Sequence, residues 1–335
     1  MSTSRRAILK AGAATAMGSV AAPFIGSIGA AQAAWPDRPV RIVVPNTPGG
    51  PSDILARILS PVLDEALGGT FVIENKGGGG GNIGIGSVAR AEPDGNTLLL
   101  CTSSIVVNPA LYGDKLPYDP VTDFAPVAEI ATSPNIIVID SRLGIGSLKE
   151  LMAAAKKEPD KFNVAVPPIG TTPQIAVEWL KLLEGVKLGV VVHAGGGQAI
   201  QSVLSGAVQV SSGGLPPAKA HMDAGTLRPL AVMGDARRAD LPDVPTLVEL
   251  GYKDFVLDTF LAVFAPSRTP PDIVQRLTKA CIDGYSKPEI RARLVKAGFD
   301  VAPKGPDGLK ARLAKEIPMF KDIVAKAGIK ASDKG

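Results

Sequence analysis

Hydrophobic and polar positions along this chain fall into two alternating kinds of run. Short apolar stretches rich in β-branched residues recur at Val40 to Val44, Phe71 to Glu74, Thr97 to Cys101 and Ile136 to Ile139, then at Phe162 to Val166, Leu188 to Val192, Val208 to Ser211 and Leu230 to Met233. Apolar at consecutive positions and bounded by turn residues, each predicts a buried parallel strand. Between them lie longer amphipathic stretches such as Ile54 to Leu67, Ser147 to Lys157, Pro173 to Leu183 and Gln198 to Ser205. Strand, turn and helix in repetition predict an α/β fold, a parallel sheet with helices on both faces.

A chain of this length exceeds a comfortable single core, so two domains are expected. The first ends near Ile130 to Pro134. The extended apolar segment Thr259 to Pro266 takes the chain back, and two crossings make a hinge. This divides the chain into a first, discontinuous domain of residues 34–133 and 260–335 and a second of residues 134–259. Helices predicted at Ile273 to Ser286, Pro288 to Ala297 and Pro306 to Ala327 cover the first domain.

The chemistry concentrates where strands run into helices. Pro48-Gly49-Gly50-Pro51-Ser52-Asp53 follows the first strand and opens a helix, and its glycines free backbone N–H groups to face outward. Amides and helix dipole together favour a carboxylate or phosphate there. Asp53 reads more readily as N-cap or loop brace than as a ligand contact. Gly79-Gly80-Gly81-Asn82-Ile83-Gly84 satisfies the dinucleotide pattern G-x-G-x-x-G, but the next strand, ending Leu100-Cys101-Thr102, lacks the acidic residue that would hold a ribose. Close packing is the competing reading of this glycine run. In Gly170-Thr171-Thr172-Pro173, Thr172 is placed to N-cap a helix with Pro173 at its first position. His193-Ala194-Gly195-Gly196-Gly197-Gln198 is another polar, Gly-rich handover. These turns, at the carboxyl ends of strands, predict one interdomain anion site.

Composition and charge narrow the setting. Ser4-Arg5-Arg6-Ala7-Ile8-Leu9-Lys10, a weak Gly/Ala-rich apolar run and Ala31-Gln32-Ala33 read as a removable twin-arginine signal peptide over residues 1–33, with export to the periplasm. Its loss removes three positive charges and no negative one, so the formal charge falls from +4 to +1. That near-neutral balance gives no electrostatic footprint for nucleic acid. No later run reaches about 18 uninterrupted apolar residues, so no membrane span is expected. Cys101 and Cys281 read as two buried free thiols, with a disulfide as the alternative. His193 and His221 are the only histidines, which makes a zinc site improbable. No cofactor or metal is expected, and the protein is expected to act as a monomer.

Further stretches carry a family likeness. They include Pro39-Val40-Arg41-Ile42-Val43-Val44-Pro45 with the Pro48 to Asp53 loop and Ala56-Arg57, then Glu74-Asn75-Lys76 before the glycine run ending Asn82-Ile83-Gly84. Pro93-Asp94-Gly95-Asn96-Thr97-Leu98-Leu99, Asp123-Phe124-Ala125-Pro126-Val127, Leu241-Pro242-Asp243-Val244-Pro245-Thr246 with Glu249 and Gly251, and Ala265-Pro266 with Thr269-Pro270 follow in order. In this order and spacing the chain resembles the solute receptors of tripartite tricarboxylate transporters, the Bug family, over essentially all of its mature length. The resemblance implies a two-domain periplasmic binding protein of the type II, Venus-flytrap kind that closes on an organic carboxylate and delivers it to membrane components of a transporter. It places the anchoring positions at Gly49, Gly50 and Ser52, with Thr102, Ser103, Ser104, Thr171 and Thr172 lining the cleft; Pro48, Asp53, Gly170, His193, Ala194, Gly196 and Gly197, from the same loops, complete the candidate ligand-binding set.

Departures from the family pattern bear on selectivity. Val192-His193-Ala194-Gly195 stands where Pro-Tyr-Lys-Gly is usual, Gln174 where histidine is common, and Phe260 and Ala262 where Trp and Gly are frequent. His193 either donates to the ligand's distal end or bonds the loop backbone. The second-domain wall is therefore expected to be roomier and less positive, which favours a monocarboxylate or a ligand with a neutral, even aromatic, distal end over a citrate-like trianion, unless water bridges a second carboxylate. An enzyme using the same cleft is the alternative class. The chain shows no G-x-S-x-G elbow, no phosphate loop and no metal-ligand cluster to support one.

Overall fold

A computed structural model describes residues 35–234, 236–252 and 257–329. The signal peptide expected over residues 1–33 lies outside them. The chain runs β1 (Val40–Val44), α1 (Pro51–Leu67), β2 (Phe71–Asn75), α2 (Asn82–Ala89), β3 (Thr97–Thr102), α3 (Ser104–Tyr112) and β4 (Phe124–Ser133). It continues through β5 (Asn135–Asp140), α4 (Leu148–Lys157), β6 (Asn163–Val166), α5 (Thr172–Glu184), β7 (Gly189–Val192), α6 (Gly196–Leu204), β8 (Val210–Gly214), α7 (Leu215–Asp223) and β9 (Leu227–Val232). Finally come β10 (Thr259–Pro266), α8 (Pro271–Ser286), α9 (Pro288–Lys296) and α10 (Pro306–Ala327).

The strands form two five-stranded sheets, ordered β2-β1-β3-β10-β4 and β7-β6-β8-β5-β9. Continuous apolar runs are what a sheet covered on both faces requires, and all six residues of β3 are buried. Side chains alternate between faces. Leu98 and Leu100 join Val40, Ile42 and Val44 against α1 and α8, while Leu99 and Cys101 join Val43 on the opposite face. In the second sheet Ile136 and Val138 face one core, and Ile137 and Ile139 the other. Cys101 and Cys281 are free and buried, in two separate cores.

The sheets are not purely parallel. β1 pairs parallel with β2 and β3, and β6 with β7 and β8, but β10 is antiparallel to β3 and β4, and β5 to β8 and β9. The reversed strands are those by which the chain crosses. Only Pro134 separates β4 from β5, so the chain enters the second sheet from the end that faces the first, and β10 re-enters the first sheet in the same way. β4 itself carries Pro126, which an edge strand tolerates, and a register shift lies beside it. β7 departs from expectation too. It is an edge strand paired only with β6, which leaves Val191 and Val192 exposed.

Candidate functional site

Where the two sheets meet, a cavity opens between them. Its lining comprises Asn46, Gly50, Pro51, Ser52 and Thr102 from the first sheet's loops, and Asn135 and Thr259 from the crossing strands. Pro167, Pro168, Thr171, Pro173, Gly196 and Gly214 complete it from the second. Five helices begin in or beside this lining: α1 after Gly50, α3 after Ser103, α5 after Thr171, α6 after Gly195 and α7 after Gly214. None of the five has a side-chain hydrogen bond from its capping residue. The first amides of a helix have no intrahelical acceptor, and each N-terminus carries about half a positive charge. α7 offers no free amide, because Leu215 N–H donates to the Pro134 carbonyl and Pro216 and Pro217 have none, but uncapped amides of α1, α5 and α6, with α3 beside them, make a seat for an anion without a cationic side chain.

The loop before α1 is held from behind. The Asp53 carboxylate accepts from the Gly49 amide at 2.9 Å and from Arg57 Nε and Nη2 at 3.0 Å each. Burial pushes the Asp53 pKa up, but the bonds from Arg57 and Gly49 outweigh it and hold the carboxyl below its ordinary value. Asp53 is thus a brace for the turn at Gly49, whose φ of 85° favours glycine, and the helix cap is Gly50. Asn46 Nδ2 donates to the Ser52 hydroxyl at 3.0 Å, leaving that hydroxyl's own proton free.

On α3, Ser103 Oγ accepts from the Phe260 amide of β10 at 2.9 Å, and Thr102 and Ser104 are bonded to each other. On α5 the cap is Thr171, not Thr172 as the sequence suggested. Thr172 is fully buried, and its hydroxyl finds better partners across the hinge: it accepts from Asn135 Nδ2 at 2.7 Å and lies 2.6 Å from Thr259 Oγ1. Thr171 Oγ1 donates to the Pro168 carbonyl at 2.9 Å.

The sheets touch directly around the cavity. Thr47 Oγ1 donates to the Ala194 carbonyl at 3.0 Å, and a Cβ on Gly195 would sit 2.2 Å from that hydroxyl. Gly80 lies under the Ile169 carbonyl, where a Cβ would approach to 2.7 Å, and the glycine run lines no part of the cavity. His193 lies outside the lining, its Nδ1 3.0 Å from the Val191 carbonyl of its own strand. Pro48, Gly49, Asp53, Ser103, Ser104, Gly170, Thr172, Ala194 and Gly197 are not part of the lining, and Gly197 faces Gly49 across the seam.

Sequence reasoning missed Asn46, Asn135, Pro167, Pro168, Gly214 and Thr259. Gly213-Gly214-Leu215-Pro216-Pro217 carried the same strand-to-helix signal as the other loops. Asn135 and Thr259 had only one signal, a polar residue at the head of an apolar crossing strand.

Two α/β lobes joined by crossing strands, with helix N-termini turned into the space between, define a solute-binding protein. The chain belongs to the tripartite tricarboxylate transporter family receptors, whose pattern matches residues 55–329. It is 31% identical over 298 residues to Protein BugT of Bordetella pertussis, covering 88% of this chain and 91% of that one. The fold matches the periplasmic binding protein BugD at a TM-score of 0.85 and 32% identity, covering 88% of this chain and 99% of that one. It also matches R. palustris Rpa4515, solved with adipate, at a TM-score of 0.84 and 31% identity, with the same coverages.

Proposed function

We propose that this protein captures a small organic carboxylate in the cleft and delivers it to the membrane components of a tripartite tricarboxylate-type transporter. The observation that carries the reading is the convergence of the uncapped N-termini of α1, α5 and α6 on one cavity, with that of α3 beside it. The adipate held by the R. palustris relative supports it. In this reading residues 34–133 with 260–335 and residues 134–259 move as two bodies about Pro134 and the start of β10, and the Gly49, Ser52, Thr171 and Gly196 loops close on the ligand. Residues 1–33 direct export by the twin-arginine route, and the receptor acts in the periplasm as a monomer.

A receptor is favoured over an enzyme by the bonding of the lining. The hydroxyls of Ser52, Thr102, Thr171 and Thr259 are tied to amides, carbonyls and other hydroxyls rather than to a general base. Titration calorimetry of the purified mature protein against a carboxylate library tests the reading. Saturable binding without turnover is expected. Consumption of a bound acid, or binding of neutral solutes while every carboxylate fails, would overturn it.

A further inference from the structure

We propose that the ligand is a short monocarboxylate: one carboxylate on a tail of one or two carbons, with no second charge and no ring. This rests on the carboxylate reading above and narrows it. The cavity measures about 40 Å³, whereas an apolar cavity that takes a benzene ring measures about 150 Å³. An aromatic acid or a six-carbon chain does not fit with the lobes in contact as they are.

Charge points the same way. No residue lining the cavity is ionisable. The acidic or basic side chains next to the lining in sequence are Asp53, paired with Arg57, and Asp258, paired with Arg312. A second carboxylate on the ligand therefore meets no unpaired cation in the lining or next to it in sequence. Moving such a charge out of water without a partner is costly, whereas a neutral tail is not penalised.

The walls complete the case. Pro51, Pro167, Pro168 and Pro173 all face the cavity. Proline has no N–H, so these positions offer an apolar ring where an amide would otherwise receive an anion. The side-chain donors of the floor are already committed: Asn135 Nδ2 serves Thr172 and the Leu257 carbonyl, and the Thr259 hydroxyl serves Asn135. What remains is a small set of N-terminal amides, the second Asn46 Nδ2 hydrogen and the Ser52 hydroxyl proton, enough for one carboxylate, surrounded by proline.

Calorimetric titration of the mature protein at fixed ionic strength with acetate, propionate and butyrate, against succinate, malate, adipate, citrate and benzoate, tests this. The better of acetate and propionate is expected to bind at least tenfold more tightly than any di- or tricarboxylate or benzoate, and more tightly than butyrate. Butyrate, a dicarboxylate, citrate or benzoate that binds as tightly as the better of acetate and propionate overturns the proposal and leaves the carboxylate receptor standing. If no carboxylate of any charge binds, both readings fall.

Discussion

Asn135 and Thr259, which head the two strands that cross between the lobes, are bonded to each other: the Thr259 hydroxyl donates to Asn135 Oδ1 at 3.0 Å. Thr172 closes a ring, since Asn135 Nδ2 donates to Thr172 Oγ1, which faces Thr259 Oγ1. Each hydroxyl then gives one proton and receives one. All three residues are buried, so the ring satisfies groups that would be expensive to leave unpaired, and it ties both crossings to the start of α5.

Replacing Thr259 by Val keeps the shape and removes the hydroxyl, which orphans Asn135 Oδ1 and the Thr172 proton. A loss of about 1–3 kcal/mol is expected. Urea denaturation followed by circular dichroism reads it, and a midpoint equal to that of the parent protein would show the ring to be energetically idle.

At the seam, Gly195→Ala brings a Cβ to 2.2 Å from Thr47 Oγ1. Thr47 must then swing away and forfeit its bond to the Ala194 carbonyl, or the lobes must stand further apart. Either outcome weakens closure, and ligand affinity is expected to fall about tenfold, equivalent to about 1.4 kcal/mol. Pairing it with Thr47→Ala removes the clash and recovers part of the loss. An affinity equal to that of the parent in the single variant would mean that the closed contact is not needed for binding.

Much of this architecture is legible in the sequence because a sheet buried on both faces leaves unbroken apolar runs such as Leu98-Leu99-Leu100. Strand direction is not legible, since the run Ile136 to Ile139 reads the same whichever way it pairs. Pro126 concealed β4, because a proline argues against a strand until the strand is known to be an edge. Glycine and proline at helix starts marked the loops at Gly50, Thr171 and Gly196 that line the cavity. Asn135 and Thr259 lie 124 residues apart, and no local pattern announces a bond between them. Thr172 misled for the same reason: a capping hydroxyl and a hinge hydroxyl look alike in sequence.

His193 separates the two readings of its loop. Its Nδ1 faces the Val191 carbonyl and its ring lies outside the cavity lining. His193→Ala is therefore expected to leave ligand affinity within about twofold, well under the loss of about 1–3 kcal/mol that follows from orphaning a buried bond. A tenfold or larger loss by calorimetry would place the imidazole on the ligand.

The charges beneath the hinge make stability depend on pH. One guanidinium, Arg312, serves three carboxylates: Glu129 at 2.8 Å, Asp258 at 2.6 Å and Glu316 at 2.7 Å, while it stacks over Phe260. Lys304 also reaches Glu129, whose second oxygen is buried without a partner. Burial raises the pKa of Glu316 to about 7; Arg312 opposes this, and Asp258 and Glu129 add to it. The folded state therefore holds this proton more tightly than the unfolded chain, where a value near 4.5 applies. Its stabilising contribution is complete below pH 4.5 and is lost as the pH rises through about 7. Between pH 5 and 8 the parent protein should lose roughly 1–3 kcal/mol from this group. Asp53 and Asp140, whose pKa values are lowered, act in the opposite sense and only below their ordinary value of 3.8, so they leave this window undisturbed. Glu316→Gln keeps a group that neither gains nor loses a proton, and its denaturation midpoint is expected to be nearly flat from pH 5 to 8. A variant whose stability still falls in parallel with the parent's would assign the titration to another group.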